Sequence, residues 1–344
     1  MLKHWKWILL VLGSIAAGMA YFGYTMIYSP NVPSNLEKTS INIPQGTNFD
    51  ALTDTLTANG IIEDVSSFRM VSKIMKFDTR ENISGRFEIK PGWSNRELVT
   101  LLRANRQAPI NVTINNVRLI SDMAGKVASY IEPDSLTLLK YLTDNDNLAK
   151  WGYTSETILS LFIPNTYQLY WNTSPEKFVE RMQSEHNKYW NAKGRKEAAQ
   201  AKGLTPTEAY TLASIIEKET TNAKEVKTIS GVYHNRLKKG IALQADPTVV
   251  FGVGDFTIRR VLNKHLEYDS PYNTYIYAGL PPGPIYMPTL SSLDAAIFPE
   301  DHNYIFFCAK PGYDNEHSFA STLSQHNRNA KIYHAWLNKE GIKK

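Results

Sequence analysis

The chain has 344 residues, of which 42% are hydrophobic and 21% charged, with a formal net charge of +5. That length supports two or three compact units with cores of their own, and the composition is that of an ordinary globular protein. Two of the 38 basic residues, Lys3 and Lys6, lie in a tip without acids, and the remainder is close enough to neutral to exclude an electrostatic footprint for nucleic acid.

The N-terminus sets the compartment. Residues Ile8–Tyr28 are free of charge, and at about 1.5 Å per residue such a helix crosses the roughly 30 Å hydrocarbon layer. Trp5, Trp7, Tyr24 and Tyr28 stand where interfacial aromatics anchor a span. Lys3 and Lys6 precede the run and the next charge is Glu37. The expected arrangement is therefore a short cytoplasmic tip (1–7), a single-pass transmembrane helix (8–28) in the inner, cytoplasmic membrane, and an exported remainder. A signal peptide cut after Ala20 is the rival, although its apolar core would exceed the usual length of about 7–15 residues. The single cysteine, Cys308, sits in "YIFFCA". It reads as a core thiol on a strand, and one cysteine supplies neither a disulfide nor a metal site.

A proline-broken polar stretch, 29–39, reads as a tether. Beyond it a scheme repeats. "INIPQGTNFDAL" gives a strand, a Pro/Gly turn and a helix start with Thr47 and Asp50 in capping-box spacing. "FEIKPGWSNREL" gives strand 87–89, the Pro91-Gly92 turn, and Ser94 capping with Glu97. Helical patterns lie at 49–59 and 66–77, and a weaker strand-turn-helix pattern spans 110–127. The expectation is a small α+β module over 40–107, a mainly helical connecting region over 108–203, and a second unit over 204–339. That second unit should hold a mixed sheet including Tyr304–Ala309. The segment 191–203 reads as a basic, solvated surface.

The second unit opens on "LTPTEAYTLASIIEKET". Thr205 fits an N-cap, Pro206 the first helical position, and Glu208 completes a capping box. With the start fixed, facing follows. Glu217 shares its side with Ala213, Ser214 and Tyr210 and is flanked by Ile215 and Ile216. Apolar neighbours disfavour the charged carboxylate and raise its pKa, which is what a general acid requires. Glu219, two residues on, rotates to the opposite side and reads as an ordinary solvated acid. A glutamate late in a helix is most often only a surface residue, so facing alone does not establish a site.

The ordered series "LASIIEKET", "VYHNRL", "LQADPTVVFG", "SPYNTYIYAGLPPGPI" and "HSFASTLSQHN" resembles the endolytic murein transglycosylase (YceG-like) family. The likeness spans nearly the whole chain, including the apolar start and a LysM-like small module. Two departures stand out. "LSLFIPNTY" has Asn165 where the family carries an aspartate, and Met287-Pro288 replaces a common Asn-Pro. The resemblance implies an α+β protein: one N-terminal transmembrane helix, the LysM-like module, and a mixed α/β catalytic domain. It also implies a lytic transglycosylase of nascent peptidoglycan that terminates strand elongation, cutting the MurNAc-β-1,4-GlcNAc bond without water and leaving 1,6-anhydro ends.

Glu217 matches the family's catalytic glutamate. One carboxyl suffices for such chemistry, because the sugar's own C6 hydroxyl is the nucleophile and intramolecular attack supplies high effective molarity. Gln244, Asp246 and Thr248 are glycan-contact candidates, with Pro247 holding Asp246 on a loop; bracing a turn is the competing role. Tyr272, Asn273 and Tyr275, beside the stiff 279–284 loop, suit sugar stacking and hydrogen bonding, or equally core packing. His317, Thr322, His326 and Asn327 are further contact candidates, and the nine-residue histidine spacing does not suit zinc. No cofactor is expected. The implied partners are glycan strands and penicillin-binding synthases. A hydrolase using Asp246 as base, or a non-catalytic wall-binding scaffold, would satisfy the same compartment.

Overall fold

A computed structural model describes residues 2–312, 314 and 316–341, with side chains from Trp5 onward. Met1 and the side chains of Leu2, Lys3 and His4, part of the expected cytoplasmic tip, lie outside that description. About half the chain is helical, and the strands form three two-stranded sheets. The chain divides into two compact units: residues 1–112 with 130–133 and 168–174, and residues 113–129 with 134–167 and 175–344. The expected connecting region, 108–203, is thus distributed between the two.

The first unit begins with α1 (Leu2–Tyr28). Its Trp5–Tyr28 portion is long and apolar enough to cross a membrane, with none of it buried by protein. β1 (Ser40–Ile43), α2 (Phe49–Ala58), α3 (Val65–Ile74), β2 (Gly85–Glu88) and α4 (Asn95–Arg103) follow. β1 and β2 pair antiparallel, Ile41 opposite Phe87. Phe68, Phe77, Phe87, Leu52, Leu56 and Leu98 are fully buried in one core.

Ser94 and Glu97 form the expected capping box. The cap of α2 differs from expectation. Asn48, not Thr47, accepts from the Ala51 amide at 2.9 Å, while the Thr47 hydroxyl donates to the Pro44 carbonyl at 2.7 Å. Asparagine is as good a cap as threonine, and one residue of register decides between them. The 29–39 stretch also departs from a free tether. Val32 is buried in the core, and buried Asn31 donates to Asn95 Oδ1 at 2.7 Å. Its paired backbone removes the freedom a linker needs.

β3 (Ile110–Ile114) and β4 (Asn165–Leu169) form a ribbon whose residues are shared between the two units. The second unit contains α5 (Ile120–Ala128), α6 (Ser135–Thr143), α7 (Asn145–Trp151), α8 (Pro175–Asn191) and α9 (Arg195–Ala201). After these come α10 (Pro206–Glu219), α11 (Val226–Lys238), α12 (Asp246–Val253), α13 (Asn263–Leu266) and α14 (Leu290–Ile297). β5 (Phe306–Ala309), β6 (His317–Ala320) and α15 (Leu323–Lys339) complete it.

α10 is the centre of this unit. Every residue from Ala209 to Ile216 is buried, and α14 packs along it. Thr205, Pro206 and Glu208 set its start as the sequence indicates. The expected mixed sheet is absent among the described residues: β5 pairs only with β6, as an antiparallel hairpin in which Cys308 faces Ser318 and is half-buried. Nor is 191–203 simply solvated, since α9 presents a buried Arg195 that donates from Nε to Asp294 Oδ1 at 2.7 Å and from Nη2 to Oδ2 at 3.3 Å.

Candidate active site

α10 delivers two glutamates, and packing gives them opposite roles. Glu217 lies on the side that continues from Ser214, as expected, but that side is filled by protein. The Ser214 hydroxyl accepts from the Ile285 amide at 3.0 Å, fixing the Pro/Gly loop. In that loop Gly283 approaches the Glu156 carbonyl so closely that a Cβ would sit 1.9 Å from the oxygen. One turn further along α10, Glu217 Oε2 accepts three hydrogen bonds: from the Thr289 amide at 2.9 Å, the Thr289 hydroxyl at 2.8 Å and the Ser292 hydroxyl at 2.7 Å. Thr289 is itself the N-cap of α14. The Glu217 carboxylate therefore closes a helix N-terminus, where donors and the helix dipole favour negative charge. That oxygen is engaged by three donors.

Glu219, expected to be an ordinary solvated acid, is the desolvated one. It ends α10 where α11 crosses, and its Oε1 accepts from the hydroxyl of fully buried Tyr233 at 2.8 Å. Burial pushes its pKa up from 4.5 to about 7. The Tyr233 hydrogen bond opposes that rise, the negative charge of Asp246 reinforces it, and the Arg236 cation opposes it. Desolvation wins because the nearby cation is already committed elsewhere. Arg236 donates from Nε to the Ile305 carbonyl at 2.7 Å and from Nη1 to the Leu243 carbonyl at 2.8 Å.

The same guanidinium reaches Gln244 Oε1 at 3.3 Å, and Gln244 holds a left-handed backbone at φ 52°. Asp246 is near. It is exposed, its Oδ1 accepting from the Tyr275 hydroxyl at 2.6 Å. It opens α12 rather than lying on a loop, because a proline in the first helical turn forfeits no helical hydrogen bond and an acid there suits the dipole.

Among the residues singled out from the sequence, Gln244, Asp246 and Tyr275 thus join the network around Glu219. Thr248 and Asn273 are buried braces. Thr248 shares a 2.8 Å hydroxyl contact with Thr274, and Asn273 donates to the carbonyls of Leu266 and Tyr268, each at 2.9 Å. Tyr272 packs on Phe251, ring centroids 4.7 Å apart. His317 contacts Glu225 through Nδ1 at 2.8 Å, Thr322 caps α15, His326 stacks on Phe306, and Asn327 is exposed. No cluster of three or more potential metal-ligating residues occurs among the described residues.

Sequence reasoning passed over Glu219, Tyr233 and Arg236. Leu212, Ile216 and Glu219 follow at i, i+4 and i+7, but so do Tyr210, Ser214 and Glu217, so spacing alone did not separate the two acids.

Beside this network lies an open cleft of about 1120 Å³ in the second unit, whose lining includes Asp246, Phe251, Arg118, Lys218, Arg259 and Arg260. The cleft, which shares Asp246 with this network, has the size and charge to take an extended polar substrate. Residues 41–332 match the model of the YceG-like family, and the chain belongs to that family. It is 28% identical over 332 residues to the endolytic murein transglycosylase of Bacillus subtilis (strain 168), covering 90% of each chain. It is 24% identical to the endolytic murein transglycosylase of Streptococcus pneumoniae serotype 2, covering 93% of this chain and 63% of that one. A crystal structure of a YceG-like protein from Listeria monocytogenes superposes with a TM-score of 0.55 at 28% identity, covering 84% of this chain and 97% of that one.

Proposed function

We propose that this protein is an endolytic lytic transglycosylase of peptidoglycan and that Glu219, rather than Glu217, is its general acid and base. The carrying observation is the Glu219 carboxyl, raised to a pKa of about 7 by burial and left with Oε2 unengaged by any hydrogen bond among the described residues. Tyr233 fixes the carboxyl through Oε1, so Oε2 is the oxygen available to substrate.

The protonated acid gives its proton to the leaving glycosidic oxygen as the MurNAc–GlcNAc bond breaks. The resulting carboxylate accepts the proton of the muramyl C6 hydroxyl, whose oxygen bonds to the anomeric carbon. The acid is regenerated, no water is consumed, and a 1,6-anhydro end is left. An acid poised near neutrality serves both half-steps, since neither protonation state is far out of reach.

Around this site we place the finer assignments. α1 anchors the chain by a single span with its N-terminus cytoplasmic, supported by Lys3 and Lys6 ahead of the apolar run. The strand-helix-helix-strand order of β1, α2, α3 and β2 supports a LysM-like module. Penicillin-binding synthases are the proposed partners, because nascent strands are the substrate.

The test is mass analysis of products from purified glycan strands. Wild type should give ends one water lighter than reducing ends, and Glu219→Gln should give none. Reducing ends from wild type would mean hydrolysis, and unimpaired cleavage by Glu219→Gln would remove Glu219 from the mechanism.

A further inference from the structure

The first unit holds a pocket of about 560 Å³ at the C-terminal end of α1. Tyr28, the last residue of that helix, lines it together with Trp93, Arg96, Leu101 and Arg106. α1 does not run out into a free linker there. Asn95 donates to the Met26 carbonyl at 3.1 Å, and Met26 and Ile27 pack on the core of the unit. The chain is then tied back at once, the Asn31 and Val32 amides both donating to the Trp93 carbonyl at 2.9 Å. The pocket is thus fixed to the end of the apolar helix.

Its height follows from helix length. The 24 residues Trp5–Tyr28 extend about 36 Å at about 1.5 Å each, about 6 Å more than the roughly 30 Å hydrocarbon layer. A helix of that length carries Tyr28 into the headgroup layer, where tyrosine and tryptophan rings settle.

Two arginines line the pocket at that level. Arg96 Nη1 donates to the Tyr28 hydroxyl at 2.9 Å, and its guanidinium lies 5.2 Å from the ring centroid. Both contacts hold the cation without neutralising it. Arg106 is exposed, and neither arginine forms an ion pair among the described residues. The acid of the lining, Glu97, is committed to the start of α4, where its Oε2 accepts from the Ser94 amide at 2.9 Å and the Ser94 hydroxyl at 2.7 Å. A surface arginine is most often only solvated. Here two unpaired ones share a pocket with the end of a membrane-length helix, and a guanidinium fork matches the oxygens of a headgroup phosphate.

Resting on the proposed anchoring by α1, we propose that this pocket binds the phosphate of an anionic phospholipid in the leaflet where α1 ends, through Arg96 and Arg106. The bound lipid clamps the first unit to the bilayer surface. Charge pairing at that depth is open to salt, which gives the site a second signature.

The experiment titrates the full chain in neutral detergent, by calorimetry, with dihexanoyl phosphatidylglycerol, dihexanoyl phosphatidylcholine and inorganic phosphate. Phosphatidylglycerol should bind on the order of tenfold tighter than phosphatidylcholine, and the preference should vanish in about 0.5 M salt. Arg96→Ala/Arg106→Ala should abolish it. Arg106→Ala alone breaks no ion pair in the described structure and should weaken phosphatidylglycerol binding about fivefold, which keeps the test open if the double variant misfolds. Lys38→Ala/Lys73→Ala removes equal charge from exposed positions of the same unit outside the pocket and should bind like wild type.

Equal affinity for the two lipids, or pocket variants that melt and bind like wild type, overturns the proposal. So does an equal loss in the Lys38/Lys73 variant, which would mean diffuse charge rather than a site. Inorganic phosphate binding as tightly as phosphatidylglycerol would mean an anion site without a lipid, and displacement of the lipid by a chito-oligosaccharide would give the pocket to glycan; each overturns it. Anchoring is tested apart, by whether the chain reconstituted in vesicles resists alkaline extraction. Extraction would defeat the anchor while the titration still reads the pocket.

Discussion

The two sides of α10 end in the same side chain, and packing makes them opposites. On one side Glu217 Oε2 collects three donors from the start of α14 and is fully employed as a cap. On the other, Glu219 meets one tyrosine hydroxyl and is otherwise desolvated. Glu217 is tied up as an acceptor at a helix start, whereas burial raises the proton affinity of Glu219 despite the Tyr233 hydrogen bond. The pair teaches that a buried-facing acid is not yet a catalytic acid: an oxygen already taken up in a helix cap is not offered to a substrate.

The comparison breaks most sharply in turnover. Replacing Glu219 with Gln should cost about a thousandfold in cleavage rate, the scale of a lost general acid. Glu217→Gln should stay within several-fold of wild type, measured as anhydro-muramyl ends released per minute. The reverse outcome would exchange the two roles.

Next comes pH. Folded Glu219 binds its proton more tightly than the unfolded chain, whose glutamate titrates near 4.5. Between pH 4.5 and about 7 the folded state holds a proton that the unfolded state has released, so stability falls as pH rises through that window and levels off above it. Glu219→Gln removes that fall, and denaturant melts at pH 8 should find the variant more stable by a few kcal/mol. In wild type, the cleavage rate governed by the acid form should decline as pH rises past about 7.

Glu217 answers on the stability side. Glu217→Ala leaves the Thr289 amide and two hydroxyls without their acceptor, and should destabilise the second unit by about 1–3 kcal/mol in thermal melts. The smallest effect belongs to the first unit. Asn48→Ala removes a helix cap with no link to chemistry, and should cost about 1 kcal/mol there with the cleavage rate unchanged.

Local features were legible in the sequence because local physics makes them. The apolar length of α1, the capping boxes at Thr205 and Ser94, and the Gly-bounded turns depend on neighbours a few residues away. The facing of the glutamates was not legible in that way. Facing arguments need a solvent side for reference, and α10 has none, being buried all round from Ala209 to Ile216. The hairpin of β5 and β6 was likewise read as part of a larger sheet, since an apolar strand does not announce how many partners it will find.

What the amino-acid order determined by itself is the anchor-length helix, the start of α10, and the presence of two acids at its end. That burial would raise the proton affinity of Glu219, and that the N-terminus of α14 would engage Glu217, was decided only by folding. The same folding step gathered Arg118, Lys218, Arg259 and Arg260, scattered over some 140 residues, onto one cleft. Proton affinity and electrostatic potential are set by distances through space, and those distances exist only in the folded chain.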